Sequence, residues 1–369
     1  MLKLKKAFFI LFVAALSCAA LELIGRSFMT PSCEMGRRIL LGRETNPLVR
    51  VQNTIGQAYL NYICAPNYTH PVNGPQHNAD GYRGKALSLE REPGILRVLC
   101  LGGSTTYGWT VPLPAQAYPA VLEEILMPKL PAGYSGVEVL NGGIPFGTSA
   151  EILAHYHFKY HYYRPDIVII NEGGNDAVGY TTAYYHPDNS NWRQPMVNLS
   201  PLPERARWMA RSRLMSYIIL NVFYADQLYG GQFYIRGGAK PPAPWFKPKG
   251  KLLANSAVIP DEQLCFTHNM ETLIREILFD GVKVLLVPFR TAPGVYEANG
   301  QDYELSQIIR HENIFKDLAK KYSIGLAPFP AEAVSACNWT DHCHLNANGE
   351  RQKAEHIASY VLSQLEPGK

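Results

Sequence analysis

The chain has 369 residues, 18% charged and 47% hydrophobic, with 30 glycines and 27 prolines. That composition excludes a disordered, collagen-like or coiled-coil protein and leaves room for one large domain with an insertion or two smaller ones. Its 35 Lys and Arg against 31 Asp and Glu give a net charge of +4, and nothing in this balance points to nucleic acid as a partner.

After Lys3-Leu4-Lys5-Lys6 an uncharged apolar run extends from Ala7 to Leu21, is interrupted by Glu22, and resumes at Leu23-Ile24-Gly25 before Arg26. Roughly 20 apolar residues span a bilayer, and about 7 to 15 serve a cleaved signal peptide. We read residues 1–27 as a retained membrane anchor. A leader cleaved or lipidated near Ser17, Cys18, Ala19 and Ala20 is the alternative. Either way, the basic flank keeps the N-terminus cytoplasmic and puts the body of the protein on the extracytoplasmic side, periplasmic or at the cell surface. Disulfides are permitted there, and Cys337 and Cys343, which enclose Asp341, are the pair expected to be bonded, whereas Cys100 sits in an apolar run and reads as a buried thiol. Asn67, Asn198 and Asn338 begin N-x-[ST] sequons.

Residues 28–94 carry turn signals such as Asn73-Gly74 and Asp80-Gly81 but no usable period, and read as an irregular connector packed on the domain. From residue 95 to 369 the pattern changes. Ile95 to Leu101, Val137 to Leu140 and Asp166 to Ile170 are short apolar runs, each closed by Gly-rich sequence. Helix-like segments at Tyr118 to Leu130 and Ala150 to Tyr163 separate them. The alternation resumes with a helix at Leu264 to Phe279, a strand at Gly281 to Phe289, a helix at Tyr303 to Lys321, a fifth strand at Ile324 to Phe329 and a closing helix at Gly349 to Leu365. Continuous apolar strands alternating with helices predict a parallel sheet covered on both faces. Between about 180 and 260 the pattern lapses into aromatic and Pro-rich sequence, with one helix-like piece at Arg205 to Tyr224, and reads as an insertion beside the active edge of the sheet.

In such a sheet ligands bind at the carboxyl ends of the strands. After the first strand comes Gly102-Gly103-Ser104-Thr105-Thr106, where Ser104 is either a helix cap or an exposed nucleophile. The Lys of a phosphate loop is missing. After the third strand comes Gly173-Gly174-Asn175-Asp176, where the Asn175 amide can donate to an oxyanion or belong to an ordinary turn. Near the C-terminus stands Asp341-His342-Cys343-His344, in which an Asp and a His three apart can meet as orienter and base. The same residues are poorly spaced for zinc, and His157 and His161 read as a helix surface, so no metal is expected.

In order and placement these segments, with Asn141-Gly142-Gly143-Ile144-Pro145-Phe146-Gly147-Thr148-Ser149 after the second strand, resemble the four blocks of the SGNH hydrolases, the GDSL-like esterase and lipase superfamily. The resemblance spans Ile95 to Leu365. It implies a three-layer α/β/α sandwich with a five-stranded parallel, flavodoxin-like sheet, no cofactor, Ser104 as nucleophile, His344 as general base and acid, and Asp341 as its orienter. The oxyanion hole would comprise Asn175, the Ser104 N–H and the Gly147 N–H. Two positions depart from the pattern. Gly103 replaces the usual Asp before the nucleophile, and aligning Asn141 with the Thr-Ser pair puts Phe146 where the oxyanion glycine usually stands, so that either the Phe146 N–H supplies the donor, if its dihedrals allow, or Gly147 takes over after a one-residue shift; Gly147 is the one assigned. The expected activity is hydrolysis of a small-molecule, glycan or lipid ester through an acyl-Ser104 intermediate. The alternatives are an acyltransferase moving acetyl groups on an envelope polysaccharide and a non-catalytic envelope binding protein.

Overall fold

The structure, a computed structural model, describes residues 2–28, 31–42, 54–57, 59–181, 202–220, 260–295 and 302–365. The chain forms two compact units, Met1–Gly56 with Gln194–Trp245, and Gln57–Arg193 with Phe246–Lys369.

In the first unit, Leu2–Phe28 is one helix and Pro31–Leu40 a second. Within the former, Phe8–Ser27 is long and apolar enough to cross a membrane by length and composition. The charge that interrupts it has a local use. Glu22 accepts the Ser212 hydroxyl at 2.7 Å and the Arg213 N–H at 2.9 Å, so it supports the start of the short helix Arg213–Ile218. The segment expected to be helical from Arg205 to Tyr224 is instead broken into 3₁₀ turns at Glu204–Ala206 and Met209–Arg211 before that helix, because Ser212 takes an extended conformation and caps it. Of the predicted insertion, residues 182–201 and 221–259, with Tyr184, Tyr185, Trp192, Trp245 and Phe246, lie outside the described residues.

The second unit holds a five-stranded parallel sheet. We label its strands β1 (Ile95–Gly102), β2 (Gly136–Gly143), β3 (Ile167–Glu172), β4 (Lys283–Pro288) and β5 (Gly325–Leu326); their spatial order is 2-1-3-4-5. Side chains alternate between two buried layers. Leu99, Leu101, Val168, Ile170 and Leu286 pack with the helices Ser149–Phe158, Cys265–Phe279 and Asp302–Tyr322. Val98, Cys100, Ile167, Ile169 and Leu285 pack on the other face with Tyr118–Leu126 and the closing helix Ala347–Leu365. Burial on both faces is why the central strands read as nearly continuous apolar runs, interrupted only by Arg97 in β1 and Glu138 in β2. Strand ends differ from the sequence reading: β2 continues through Gly142-Gly143 because its pairing with β1 does, and β5 keeps only two residues.

With this order the chain reverses direction of travel between β1 and β3, and the crevice above that switch point is the expected ligand site of the fold. Gly102 at the end of β1 lies opposite both Gly143 and Asn171. A Cβ on Gly143 would stand 2.2 Å from the Tyr107 nitrogen, so glycine is what lets the helix after β1 begin directly over β2.

Candidate active site

Ser104 opens the four-residue helix Ser104–Tyr107. Its Oγ lies 2.8 Å from His344 Nε2, and His344 Nδ1 lies 2.8 Å and 3.0 Å from the two Asp341 oxygens. A carboxylate carries only lone pairs, so the shared proton resides on Nδ1 and the lone pair of Nε2 faces the Ser104 hydroxyl. Asp341 Oδ1 also accepts the backbone N–H of Cys343 at 2.9 Å and of His344 at 2.8 Å. Burial alone would raise the Asp341 pKa, but the His344 ring and these two N–H groups outweigh it and hold the carboxyl well below the usual range. Asp341 therefore stays charged and fixes the imidazole.

The loop is closed by local bonds. Thr340 N–H donates to His344 O at 2.9 Å and Asn346 N–H to Asn338 O at 2.9 Å, while Thr110 Oγ1 from the nucleophile side donates to Leu345 O at 2.6 Å. Cys337 and Cys343, expected to be bonded, are both free thiols. Cys343 is instead turned inward beside the His344 ring, Sγ to Nδ1 3.5 Å, and burial pushes its thiol pKa up. Asn338 is also buried, with its amide donating to Gln352 at 2.9 Å, which leaves no room for a glycan on that nitrogen.

Asn175 lies in the first turn of the helix Gly174–Thr181, and one hydrogen of its amide donates to Gly147 O at 2.7 Å, leaving the second for a ligand. The structure corrects the assignment of Gly147. Its N–H donates to Ile144 O at 2.8 Å and closes the turn Ile144–Gly147, so this donor is already occupied; only its carbonyl serves the site. Phe146 is the residue that takes the glycine-like backbone, φ 60°, at the third position of that turn. Such a conformation costs a side-chain-bearing residue about 1–2 kcal/mol. Among the described residues no acceptor takes the Phe146 N–H, and its ring, 52% exposed, stands edge-on to Trp109 with centroids 6.3 Å apart.

Several residues that hold this arrangement escaped sequence reasoning. Tyr62 donates its hydroxyl to Pro145 O in the turn Ile144–Gly147 at 2.7 Å, and His77 Nε2 meets the Tyr107 hydroxyl at 2.8 Å. Arg83 donates to Gly108 O at 2.8 Å and to Val111 O at 2.6 Å. All three come from the stretch without a period, so no pattern could flag them. Beneath the nucleophile, buried Lys353 donates to Asn171 Oδ1 at 2.7 Å and to Thr105 O at 3.1 Å, and buried Glu350 accepts the Tyr118 N–H at 2.8 Å. Burial pushes Lys353 down to about 8, against the pull of Glu350, and Glu350 up to about 7. Their signal was available: two charges on the apolar face of the closing helix, in register with Ala354, Ile357 and Val361.

Asp341, His342 and Cys343 bring ligand atoms within 4.8 Å of one another, yet Asp341 is committed to His344 and Cys343 resists ionisation, so this set does not fit a metal. His157 pairs with Glu276 at 2.7 Å and His161 with Tyr156 O at 3.2 Å, and the two rings do not converge.

Residues 100–352 match the GDSL-like Lipase/Acylhydrolase family. The chain belongs to that family. Its four blocks, from Ser104 through Asn175 to His344, fall within the matched span, and family membership supports ester hydrolase activity. Solved structures similar to this GDSL-like acylhydrolase include an acetyl xylan esterase, 15% identical over 72% of this chain and 100% of its own with a TM-score of 0.43. Another is the lipase/acylhydrolase from Enterococcus faecalis, 14% identical over 74% of this chain and 99% of its own, also with a TM-score of 0.43. No curated protein matches the chain.

Proposed function

We propose that this protein is a membrane-anchored, extracytoplasmic serine esterase that works through an acyl-Ser104 intermediate. The observation that carries the reading is the unbroken chain Ser104 Oγ, His344 Nε2, His344 Nδ1, Asp341, with no step longer than 2.8 Å. As Ser104 Oγ attacks the ester carbonyl, its proton passes to His344 Nε2, and Asp341 stabilises the imidazolium that forms. The tetrahedral oxyanion is held by the Ser104 N–H, the second hydrogen of the Asn175 amide and the Phe146 N–H. Collapse expels the alcohol, which takes its proton from His344; water, deprotonated by the same nitrogen, then releases the acid. No cofactor enters these steps. The exposed Phe146 and Trp109 rings make an apolar rim on the acyl or leaving-group side. The anchor reading rests on the apolar stretch Phe8–Ser27 and the lysines before it.

The test is a fluorophosphonate label on the full chain in detergent, with p-nitrophenyl esters of increasing acyl length and Ser104→Ala and His344→Ala as controls. Labelling and turnover that both vanish in Ser104→Ala support the esterase. Labelling without turnover in water moves the assignment to an acyltransferase with a sugar acceptor, and a folded protein that does not label is a binding protein.

A further inference from the structure

Gly103 stands where the pattern of the family has an Asp, and its φ of −82° is not the left-handed one that favours glycine. Space at this point limits what a side chain can do. A Cβ built there would lie 2.7 Å from Asn175 Nδ2 and 3.4 Å from Glu172 Oε2. A carboxyl oxygen thus already touches the point from which an Asp side chain would grow. Glu172 ends β3, is 2% exposed, and its carboxyl accepts the backbone N–H groups of Gly173 and Asn175. It grips the turn that aims the Asn175 amide.

We propose that Glu172 is a positioning residue for Asn175, supplying from the third strand the carboxyl that the family pattern carries on the residue before the nucleophile. The surroundings fit this role. Burial, and then the neighbouring charge of Asp176, raise the Glu172 pKa well above the carboxylate range, with Glu151 adding to the effect. Asp176 accepts the Ser149 N–H at 2.8 Å and the Ser149 hydroxyl at 2.5 Å, and buried Lys353 interacts with Glu172 electrostatically. An upward shift favours the neutral carboxyl, the form that does not repel a charge developing beside it. The proposal rests on the acyl-Ser104 reading.

A reciprocal exchange tests it, read as ester hydrolysis and Ser104 labelling in the full chain. Glu172→Ala is expected to lower kcat about tenfold or more with KM within about twofold, because misaiming one donor costs the transition state and not substrate binding. Gly103→Asp alone also slows turnover, since it crowds Asn175. The double variant Gly103→Asp/Glu172→Ala returns to within about threefold of the parent, because the carboxyl moves into vacated space. Glu172→Gln, neutral and of the same shape, stays within about threefold. A double variant no faster than the slower single one, or a Glu172→Ala protein at the parental rate, overturns the proposal. If Glu172→Ala does not fold, the double variant decides: folding and turnover regained support it, and neither regained overturns it. A parent that fails to label at Ser104 removes the esterase reading and this one with it, whereas a parent that labels beside an unaffected Glu172→Ala removes this one alone.

Discussion

The loop that carries His344 and the turn that carries Phe146 both border Ser104, yet they are held by different means. The first is tied largely from within, as Asp341 binds the ring and two N–H groups of its own loop and residues 338 to 346 close it, with Thr110 and the Ala292 N–H as supports from outside. The second keeps one internal bond, Gly147 N–H to Ile144 O, and is otherwise held by Tyr62 from the N-terminal stretch and Asn175 from the turn after β3. A loop closed mostly by its own bonds depends less on distant side chains. A turn held by distant side chains, with a phenylalanine at φ 60°, keeps its geometry only while the fold presents those partners.

That contrast orders the expected effects. Asp341→Asn strikes the centre of the local loop; it favours the wrong His344 tautomer, and kcat should fall about 10⁴-fold while the fold survives. Steady-state kinetics with a short-chain ester checks it, and a loss below about tenfold would mean that Asp341 only braces the loop. Asn175→Ala removes both an oxyanion donor and a brace of the Phe146 turn, so kcat should drop about 10²–10³-fold with KM little changed. Tyr62→Phe removes only the remote brace: a loss of about 0.5–1.5 kcal/mol in stability and a severalfold fall in kcat are expected from denaturation and rate measurements. If Tyr62→Phe leaves kcat untouched, the turn is self-sufficient and the comparison fails. Phe146→Gly keeps the N–H and relieves the strained backbone, so kcat should stay within about twofold, stability should change by less than about 1 kcal/mol, and only the acyl-length preference should shift.

The smallest effect is on pH dependence. The folded-state pKa of Asp341 is depressed, so its stabilising contribution is complete above the unfolded value, about 3.9, and fades as pH falls through the lower folded value. The melting temperature of the parent should therefore converge on that of Asp341→Asn below about pH 4; equal gaps at pH 3 and pH 7 would count against a charged Asp341.

Much of the fold was legible because strands buried on both faces advertise themselves as apolar runs, as Val168-Ile169-Ile170 does in β3. The triad was legible for a related reason: Ser104 follows a glycine-closed strand, and Asp341 and His344 are three residues apart, close enough for the loop itself to join them. Lys353 was visible only as a charge in an apolar register, and its partners, Asn171 Oδ1 and Thr105 O, depend on which strand ends lie beneath the closing helix. Tyr62, His77 and Arg83 gave no signal, since a hydrogen bond to a distant carbonyl or hydroxyl leaves no period in the sequence.

By itself the sequence determined the layered parallel sheet and the apolar segment at the N-terminus, and it singled out Ser104, Asn175, Asp341 and His344 as candidates, because periodicity, glycine-closed strand ends and short spacings are properties of neighbouring residues. The tertiary structure alone decided that Phe146 and not Gly147 has the N–H to offer, that Cys337 and Cys343 stay apart, and that a carboxyl from β3 stands beside Gly103. Those outcomes turn on which groups from remote parts of the chain reach a given donor or fill a given space, and that is settled only when the strands and their loops are packed together.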